Sequence, residues 1–292
     1  MNGMLAKAAV FIFLCLVGGL PAKAVRMERT GVEGAPALVF VPGLASHGDL
    51  WKPWVEEYAN TYDVFVVTAP GFAGEQARTE DGPFLKITVA EIAANLKKYG
   101  ASKATIVGHS IGGLMALMLA NDAPELVGKV LVVDSLPYLA AMFMPGTAPD
   151  QARAQANLMA NHMKAMPHDL FMAQQKQGLP RLSNTPAFLP VLEKWSATSD
   201  QATVAKAFAE GLGTDYRPEL KTITAHVTVL AAYSKAMRVP RVQIKTLYET
   251  QYAGLQHAKL HLVDDSFHFI MIDQPKQFGQ HLSSVLKQGE KQ

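Results

Sequence analysis

Short apolar runs alternate along the chain with segments in which apolar residues recur at helical spacing. The runs are rich in valine, leucine and isoleucine. Such runs are typical of strands that are buried on both faces, and strands that alternate with helices form parallel sheets. Strands are predicted at residues 37–41, 63–67, 105–107, 129–133, 226–231 and 259–263, with a further short strand possible at 25–28. We therefore predict an α/β fold with a mostly parallel, doubly wound sheet.

Helices are predicted in the segments between these strands. Residues 87–99 are the clearest case, because Val89, Ile92 and Leu96 fall on one face of a helix. Other helices are predicted to end near Tyr58, to run from Ser110 through Leu119, and to cover residues 242–252 and 275–286.

The alternation of strands and helices stops between Ser135 and Pro218. This stretch reads as helices at 150–166, 169–177, 190–197 and 201–212, and it is too long for a plain loop. We predict a helical cap, residues 135–218, inserted into a core formed by residues 25–134 and 219–292. The apolar side chains of the cap would either line a pocket for an apolar group or pack the cap helices: Met142, Phe143, Met144, Met159, Met163, Met166, Phe171 and Met172.

The first 24 residues differ in kind from the rest of the chain. Lys7 precedes an apolar run over residues 8–20, and an A-x-A sequence ends at Ala24. This arrangement is typical of a secretory signal peptide that is cleaved after Ala24. The alternative is an uncleaved membrane anchor, although the run is short for a span. We expect a protein that is exported to the periplasm or secreted, with no stable membrane insertion after cleavage.

Composition narrows the possible functions. The chain has 27 Lys and Arg against 25 Asp and Glu, and removal of Lys7 and Lys23 would leave equal numbers. The only cysteine, Cys15, lies in the predicted signal peptide, so the mature protein would carry no disulfide. The sequence shows no basic patch, phosphate-binding loop or metal-ligand spacing, so we expect no nucleic-acid partner, no cofactor and no metal.

A G-x-S-x-G pattern is the strongest chemical signal in the sequence. It spans Gly108, Ser110 and Gly112, after a predicted strand and before a predicted helix. That context is typical of a nucleophile elbow, in which a strained turn exposes the serine hydroxyl to a base. The alternative is a serine that only caps the following helix.

The chain resembles the capped, esterase-like branch of the α/β-hydrolase superfamily. The resemblance covers nearly all of the mature sequence and rests on the motifs FVPGL at 40–44, GHSIGG at 108–113, DYRPEL at 215–220 and SFHF at 266–269. It implies an α/β-hydrolase fold with a Ser-His-acid triad. It also implies an oxyanion hole formed by the backbone N–H groups of Leu44 and Ile111, with Pro42-Gly43 standing where His-Gly is usual.

His268 is the predicted catalytic base, because it follows the last strand and would reach the sheet edge above Ser110. His109 is adjacent to Ser110, but its side chain should point away from the hydroxyl and pack. His47 lies in the predicted oxyanion loop, where a hydrogen-bonded loop histidine is the commoner outcome.

The acid is where the sequence departs from the family pattern. It usually follows the strand after the cap, but the corresponding loop, residues 231–236, has no carboxylate. Asp134, at the end of the strand after the elbow helix, is the predicted acid, since some members of the superfamily carry theirs there. Asp134 could instead cap the turn that follows it, and Asp215 and Asp265 are weaker candidates.

These residues predict an exported serine hydrolase that cleaves small or medium apolar esters. The same triad could support lactone or C–C bond hydrolysis, acyl transfer or cofactor-free haloperoxidation. A noncatalytic ligand-binding protein is the alternative from another class, and the missing carboxylate in residues 231–236 is the feature that favours it.

Overall fold

The predicted sheet is present in a computed structural model, which describes residues 24–288. Seven strands form one sheet in the order β1-β3-β2-β4-β5-β6-β7, and only β1 is antiparallel to its neighbour. This confirms the α/β fold. The strands are β1 (Arg26–Gly31), β2 (Ala37–Val41), β3 (Asp63–Thr68), β4 (Ala104–His109), β5 (Val127–Val133), β6 (His226–Ala232) and β7 (Lys259–Val263).

Helices cover both faces of the sheet. They are α1 (Lys52–Tyr58), α2 (Phe84–Lys98), α3 (Ile111–Asp122), α4 (Ala140–Phe143), α5 (Pro149–Ala165), α6 (His168–Gly178), α7 (Leu189–Thr198), α8 (Gln201–Gly213), α9 (Arg241–Gln251), α10 (Ile270–Asp273) and α11 (Pro275–Leu286). No helix within residues 24–288 has both the length and the apolar character needed to cross a membrane.

The central strands are mostly apolar because both of their faces are covered. In β2, Val39 and Val41 pack in one buried cluster with the inner faces of α2 and α3. Leu38 and Phe40, which point the other way, pack in a second cluster with Trp51 and with α11. Edge strand β1 is more exposed, as its alternating pattern of partly buried and exposed residues reflects.

Helices α4 to α8 follow one another between β5 and β6. Helices α5 and α8 pack closely along a line of small residues, because alanine side chains let two helix backbones approach each other. Their shared cluster includes Ala152, Ala156, Ala160, Ala205 and Ala209.

Helix α2 begins at Phe84, three residues before the predicted start at residue 87. Its N-cap is Pro83, which makes no side-chain capping bond. The carboxylate of Glu210, on α8, instead accepts hydrogen bonds from the N–H groups of Phe84 (2.7 Å) and Leu85 (2.9 Å). A side chain distant in sequence therefore satisfies the first turn of this helix and ties α8 to the core.

Candidate active site

Ser110 lies at the sharp turn from β4 into α3. Its φ of 55° and ψ of −128° lie in a region that L-residues rarely adopt, at a cost of about 1–3 kcal/mol. The Ser110 side chain makes no capping hydrogen bond to α3. The Ser110 N–H donates to the Val133 carbonyl at 2.9 Å, which fixes the turn beside the end of β5. The hydroxyl is therefore displayed by the backbone rather than used to start the helix.

Two glycines allow the elbow and the loop after β2 to touch. A Cβ on Gly112 would lie 2.4 Å from the Val41 oxygen and 2.5 Å from the Pro42 oxygen. A Cβ on Gly43 would lie 2.9 Å from the Ser110 Cβ. Real Cβ atoms do not come this close to other atoms, so both positions depend on glycine.

This contact brings together the two segments that carry the predicted oxyanion donors. Leu44 directly follows Gly43, and Ile111 directly follows Ser110. Neither backbone N–H donates a hydrogen bond to a group within residues 24–288. Both donors therefore remain available for an oxyanion on a substrate at Ser110.

Asp134 follows β5 directly and also has a left-handed backbone, with φ of 46°. Its Oδ2 lies 2.7 Å from the Nδ1 of His268, 134 positions later in the chain. Its Oδ1 accepts hydrogen bonds from the Ala232 N–H and the Tyr248 hydroxyl, each at 2.8 Å. The loop that lacks a carboxylate thus supplies an N–H donor to the carboxylate of the neighbouring strand.

Neither of the weaker acid candidates has a carboxylate hydrogen-bonded to His268 within residues 24–288. The Asp215 carboxylate binds the Arg217 guanidinium through two hydrogen bonds of 2.7 and 2.6 Å. Asp265 contributes its backbone carbonyl, which accepts from Asn184 and Gln274.

His268 lies in the loop between β7 and α10, with its side chain 27% exposed. When its Nδ1–H donates to Asp134, the lone pair of Nε2 is available to accept a proton. The ring makes no hydrogen bond to the Ser110 hydroxyl in the part of the chain that the structure describes. Nucleophile–base contacts are often long without substrate and shorten in the complex.

His109 contacts the loop that carries His268 through both a hydrogen bond and its ring. It is buried, its Nε2–H donates to the His268 carbonyl at 3.0 Å, and the two rings are 4.5 Å apart. Burial, and secondarily the nearby charge of His268, holds the pKa of His109 well below its usual value. His109 is therefore a neutral packing residue. His47 accepts the Asp49 N–H at 3.0 Å within its own loop.

Tyr248 is a contributor that sequence reasoning missed. It lies on α9, is 1% exposed, and donates its hydroxyl proton to Asp134. Burial raises the pKa of Tyr248 well above its usual value, and the charge of Asp134 adds to this. Tyr248 and Tyr252 are four residues apart on one face of a predicted helix, and this spacing was the available signal.

The apolar residues of the predicted cap fall into three groups. Met163, Met166, Phe171 and Met172 belong to the large cluster that also includes Ile111 and Leu44. Met144 packs against the cluster of α5 and α8. Met142, Phe143 and Met159 are exposed instead.

The described part of the chain holds no group of three or more His, Cys, Asp or Glu side chains suited to a metal ion. His268 and Asp134 are joined by a hydrogen bond at the edge of the sheet where Ser110 follows β4, and residues of these three types can serve as base, acid and nucleophile.

The chain is similar to proteins of one known family. A model described as the alpha/beta hydrolase family matches residues 38–280. A pimeloyl-[acyl-carrier protein] methyl ester esterase of Aeromonas hydrophila is 29% identical over 260 residues, which cover 87% of this chain and 96% of that protein. A Serratia proteamaculans protein named as a carbamate hydrolase is 27% identical over 200 residues, 68% of this chain and 73% of that one.

Among solved structures, the fold is similar to that of an enol-lactonase from Burkholderia xenovorans. The two superimpose with a TM-score of 0.71 over 91% of this chain and 99% of that one, at 17% identity.

Proposed function

This chain is an enzyme of the alpha/beta hydrolase family, and we propose that it cleaves small or medium apolar esters with Ser110, His268 and Asp134. The family match confirms the resemblance seen in the sequence motifs. The observation that carries the choice of residues is the 2.7 Å hydrogen bond between His268 and Asp134, at the sheet edge where Ser110 follows β4.

In the proposed reaction, Ser110 Oγ attacks the ester carbonyl while His268 Nε2 accepts the hydroxyl proton. The Leu44 and Ile111 N–H groups stabilise the oxyanion, and Asp134 stays ionised beside the imidazolium. His268 then protonates the departing alcohol, which leaves an acyl group on Ser110. A water molecule, deprotonated by His268, releases the acid and restores the serine.

Two observations support an apolar ester as the substrate. The methionines and phenylalanine of the cap that belong to the same buried cluster as Ile111 and Leu44 are apolar side chains, and the methionines among them are flexible enough to adapt to an apolar group. The Aeromonas relative is named as an esterase, which supports ester cleavage more directly than the fold does. The proposal includes residues 135–218 as a cap over the core formed by 25–134 and 219–292.

A fluorophosphonate probe tests the nucleophile. We expect stoichiometric labelling of the protein, and loss of labelling together with a fall in kcat on the order of 10⁵–10⁶ in Ser110→Ala. Ser135→Ala is the matched control, because Ser135 lies two residues after the end of β5 but is almost fully buried. Labelling that persists in Ser110→Ala would overturn the assignment.

A substrate panel tests the reaction class. We expect p-nitrophenyl butyrate to be hydrolysed with a higher kcat/KM than a lactone, an aryl carbamate or a thioester. A preference for the carbamate or the lactone would redirect the assignment within the family. The absence of both turnover and labelling would favour the ligand-binding alternative.

We further propose that the protein is exported, with cleavage after Ala24. In support, the Val25 side chain is 6% exposed and packs in the main core, and β1 begins at Arg26, so the residue that would become the N-terminus already belongs to the core. Residues 1–23 of that leader lie outside the described residues. N-terminal sequencing of the periplasmic or secreted protein should give Val25 as the first residue. Recovery of the intact chain in membranes would favour an uncleaved anchor.

A further inference from the structure

One carboxylate outside the proposed triad gathers an unusual number of donors. Asp273, at the end of α10, accepts from the Ser183 hydroxyl at 2.6 Å and the Thr185 hydroxyl at 3.0 Å. The Asn184 N–H lies 3.2 Å from both of its oxygens. The Phe267 N–H donates to it at 2.8 Å. Three of these partners belong to the cap, and the fourth directly precedes His268.

The same cap segment, residues 182–185, contacts the histidine loop at two more points. The Phe269 N–H donates to the Leu182 carbonyl at 3.0 Å. The Asn184 side-chain amide donates to the Asp265 carbonyl at 2.7 Å. The peptide N–H groups on both sides of His268 are therefore bound, one to Asp273 and the other to the cap segment.

These bonds bear on the proposed reaction because His268 lies in a loop and not on a strand. Its ring can keep its bond to Asp134 only if the backbone on either side stays fixed. A carboxylate is suited to this task, since two oxygens can accept several hydrogen bonds, and bonds to a charged acceptor are stronger than neutral ones.

We propose that Asp273 is a positioning residue that, with residues 182–185 of the cap, holds His268 in place for catalysis. The proposal rests on the proposed function of His268 as the base. It assigns to Asp273 no contact with substrate. The Asp273 side chain then links the position of residues 182–185 to the position of His268.

Asp273→Asn tests the proposal, because the amide keeps the shape but presents an NH₂ group to donors that need an acceptor. We expect kcat for p-nitrophenyl butyrate to fall about 100-fold with KM changed less than about threefold, since small misplacement of a reacting group can have this effect. Asp273→Glu should recover part of the rate. Asp264→Asn is the matched control, because Asp264 carries the same charge and pairs with Arg241 at the surface.

A double-variant experiment separates positioning from general loss of structure. In a His268→Ala background, Asp273→Asn should leave the residual rate unchanged, because a residue that acts through His268 has no effect once His268 is absent. A similar fractional loss in both backgrounds would overturn the proposal. If Asp273→Asn fails to fold, the Ser183→Ala, Thr185→Val double variant should lower kcat by about 10-fold, and an unchanged kcat there would also overturn it.

Measurements on the wild-type enzyme distinguish failure of the role proposed for Asp273 from failure of the proposed function. Normal labelling and turnover of wild type, with unchanged kcat in Asp273→Asn, would reject the role of Asp273 and leave the proposed function intact. Failure of the wild type itself to be labelled or to turn over esters would reject the proposed function and, with it, this inference.

Discussion

The strand-borne and loop-borne parts of the candidate site are held by different kinds of interaction. Ser110 and Asp134 each follow one of two neighbouring parallel strands, and both have left-handed φ values, 55° and 46°. Their N–H groups donate to the backbone of the next strand, to Val133 at 2.9 Å and to Leu230 at 2.8 Å. His268 has no such frame, and its loop is held by His109, Asp134 and the contacts made through Asp273.

Because the two parts are held differently, substitutions in them should affect activity and folding stability differently. Sheet register fixes Ser110 and Asp134, so they stay in place as long as the fold does. The position of His268 depends on a small number of individual hydrogen bonds, each worth about 0.5–3 kcal/mol. Substitutions around His268 should therefore lower activity with little loss of folding stability. Substitutions in the strand-borne part should instead remove a reacting group or distort the elbow.

The largest effect that tests this comparison is expected from Asp134→Asn. The amide keeps the shape but cannot stabilise the imidazolium or hold the required tautomer, so kcat should fall about 10⁴-fold. Asp265→Asn, in the histidine loop, is the control and should stay within about twofold of wild type. Steady-state kinetics with a p-nitrophenyl ester measures both. A large loss in Asp265→Asn instead would move the acid to the loop.

Gly43→Ala should give the next largest effect. The new Cβ would meet the Ser110 Cβ at 2.9 Å and the His109 Nδ1 at 3.0 Å, so the loop carrying Leu44 must shift. Loss of one well-aimed oxyanion donor costs about 10²–10³ in kcat. Gly178→Ala is the matched control, because a Cβ there has no neighbour within 4 Å. Equal activity of the two variants would argue against Leu44 as a donor.

The strands and the turn that carry Ser110 are features that the sequence could predict. The strand Ala37–Val41 is a continuous apolar run, Ala104–His109 is buried throughout, and the turn at Ser110 is encoded within a few residues. These signals are local, so one sequence is enough to read them. Asp134 was predicted from the family resemblance, since the loop over residues 231–236 has no carboxylate and some members of the superfamily carry the acid after the strand that follows the elbow helix.

The side-chain contacts that complete the candidate site are not local, and the sequence did not reveal them. Tyr248 meets Asp134 across 114 positions, and Asp273 meets Ser183 across 90. The early start of α2 at Phe84 has the same origin, since its cap is Glu210, 126 positions later. Such pairings depend on how distant segments pack, and propensity and periodicity carry no information about that.

Tyr248→Phe sharpens the comparison with a smaller expected effect. The variant leaves one oxygen of Asp134 with a single donor, Ala232, so the bond to His268 should be aligned less well. We expect kcat to fall about 10-fold, together with a loss of about 1–3 kcal/mol of unfolding free energy. Tyr252→Phe is the matched control on the same helix, because its hydroxyl donates to the Ser135 carbonyl at 2.8 Å. It should lose stability with kcat unchanged.

The smallest predicted effect is a dependence of stability on pH that arises at His109. Burial lowers the pKa of this histidine well below 6.5 in the folded protein, so below pH 6.5 the unfolded chain binds a proton that the folded chain does not. Stability should therefore fall as the pH drops below about 6.5, by at most about 1.4 kcal/mol per pH unit for this one group.

His109→Gln tests this prediction, because glutamine can still donate to the His268 carbonyl but does not titrate. In urea unfolding series between about pH 6.5 and 5, the variant should show a smaller change of unfolding free energy with pH than the wild type. His261→Gln is the control, because the pKa of His261 is also lowered but its side chain is only partly buried, so its contribution should be smaller. An unchanged slope in His109→Gln would mean that the folded protein accommodates a charged His109.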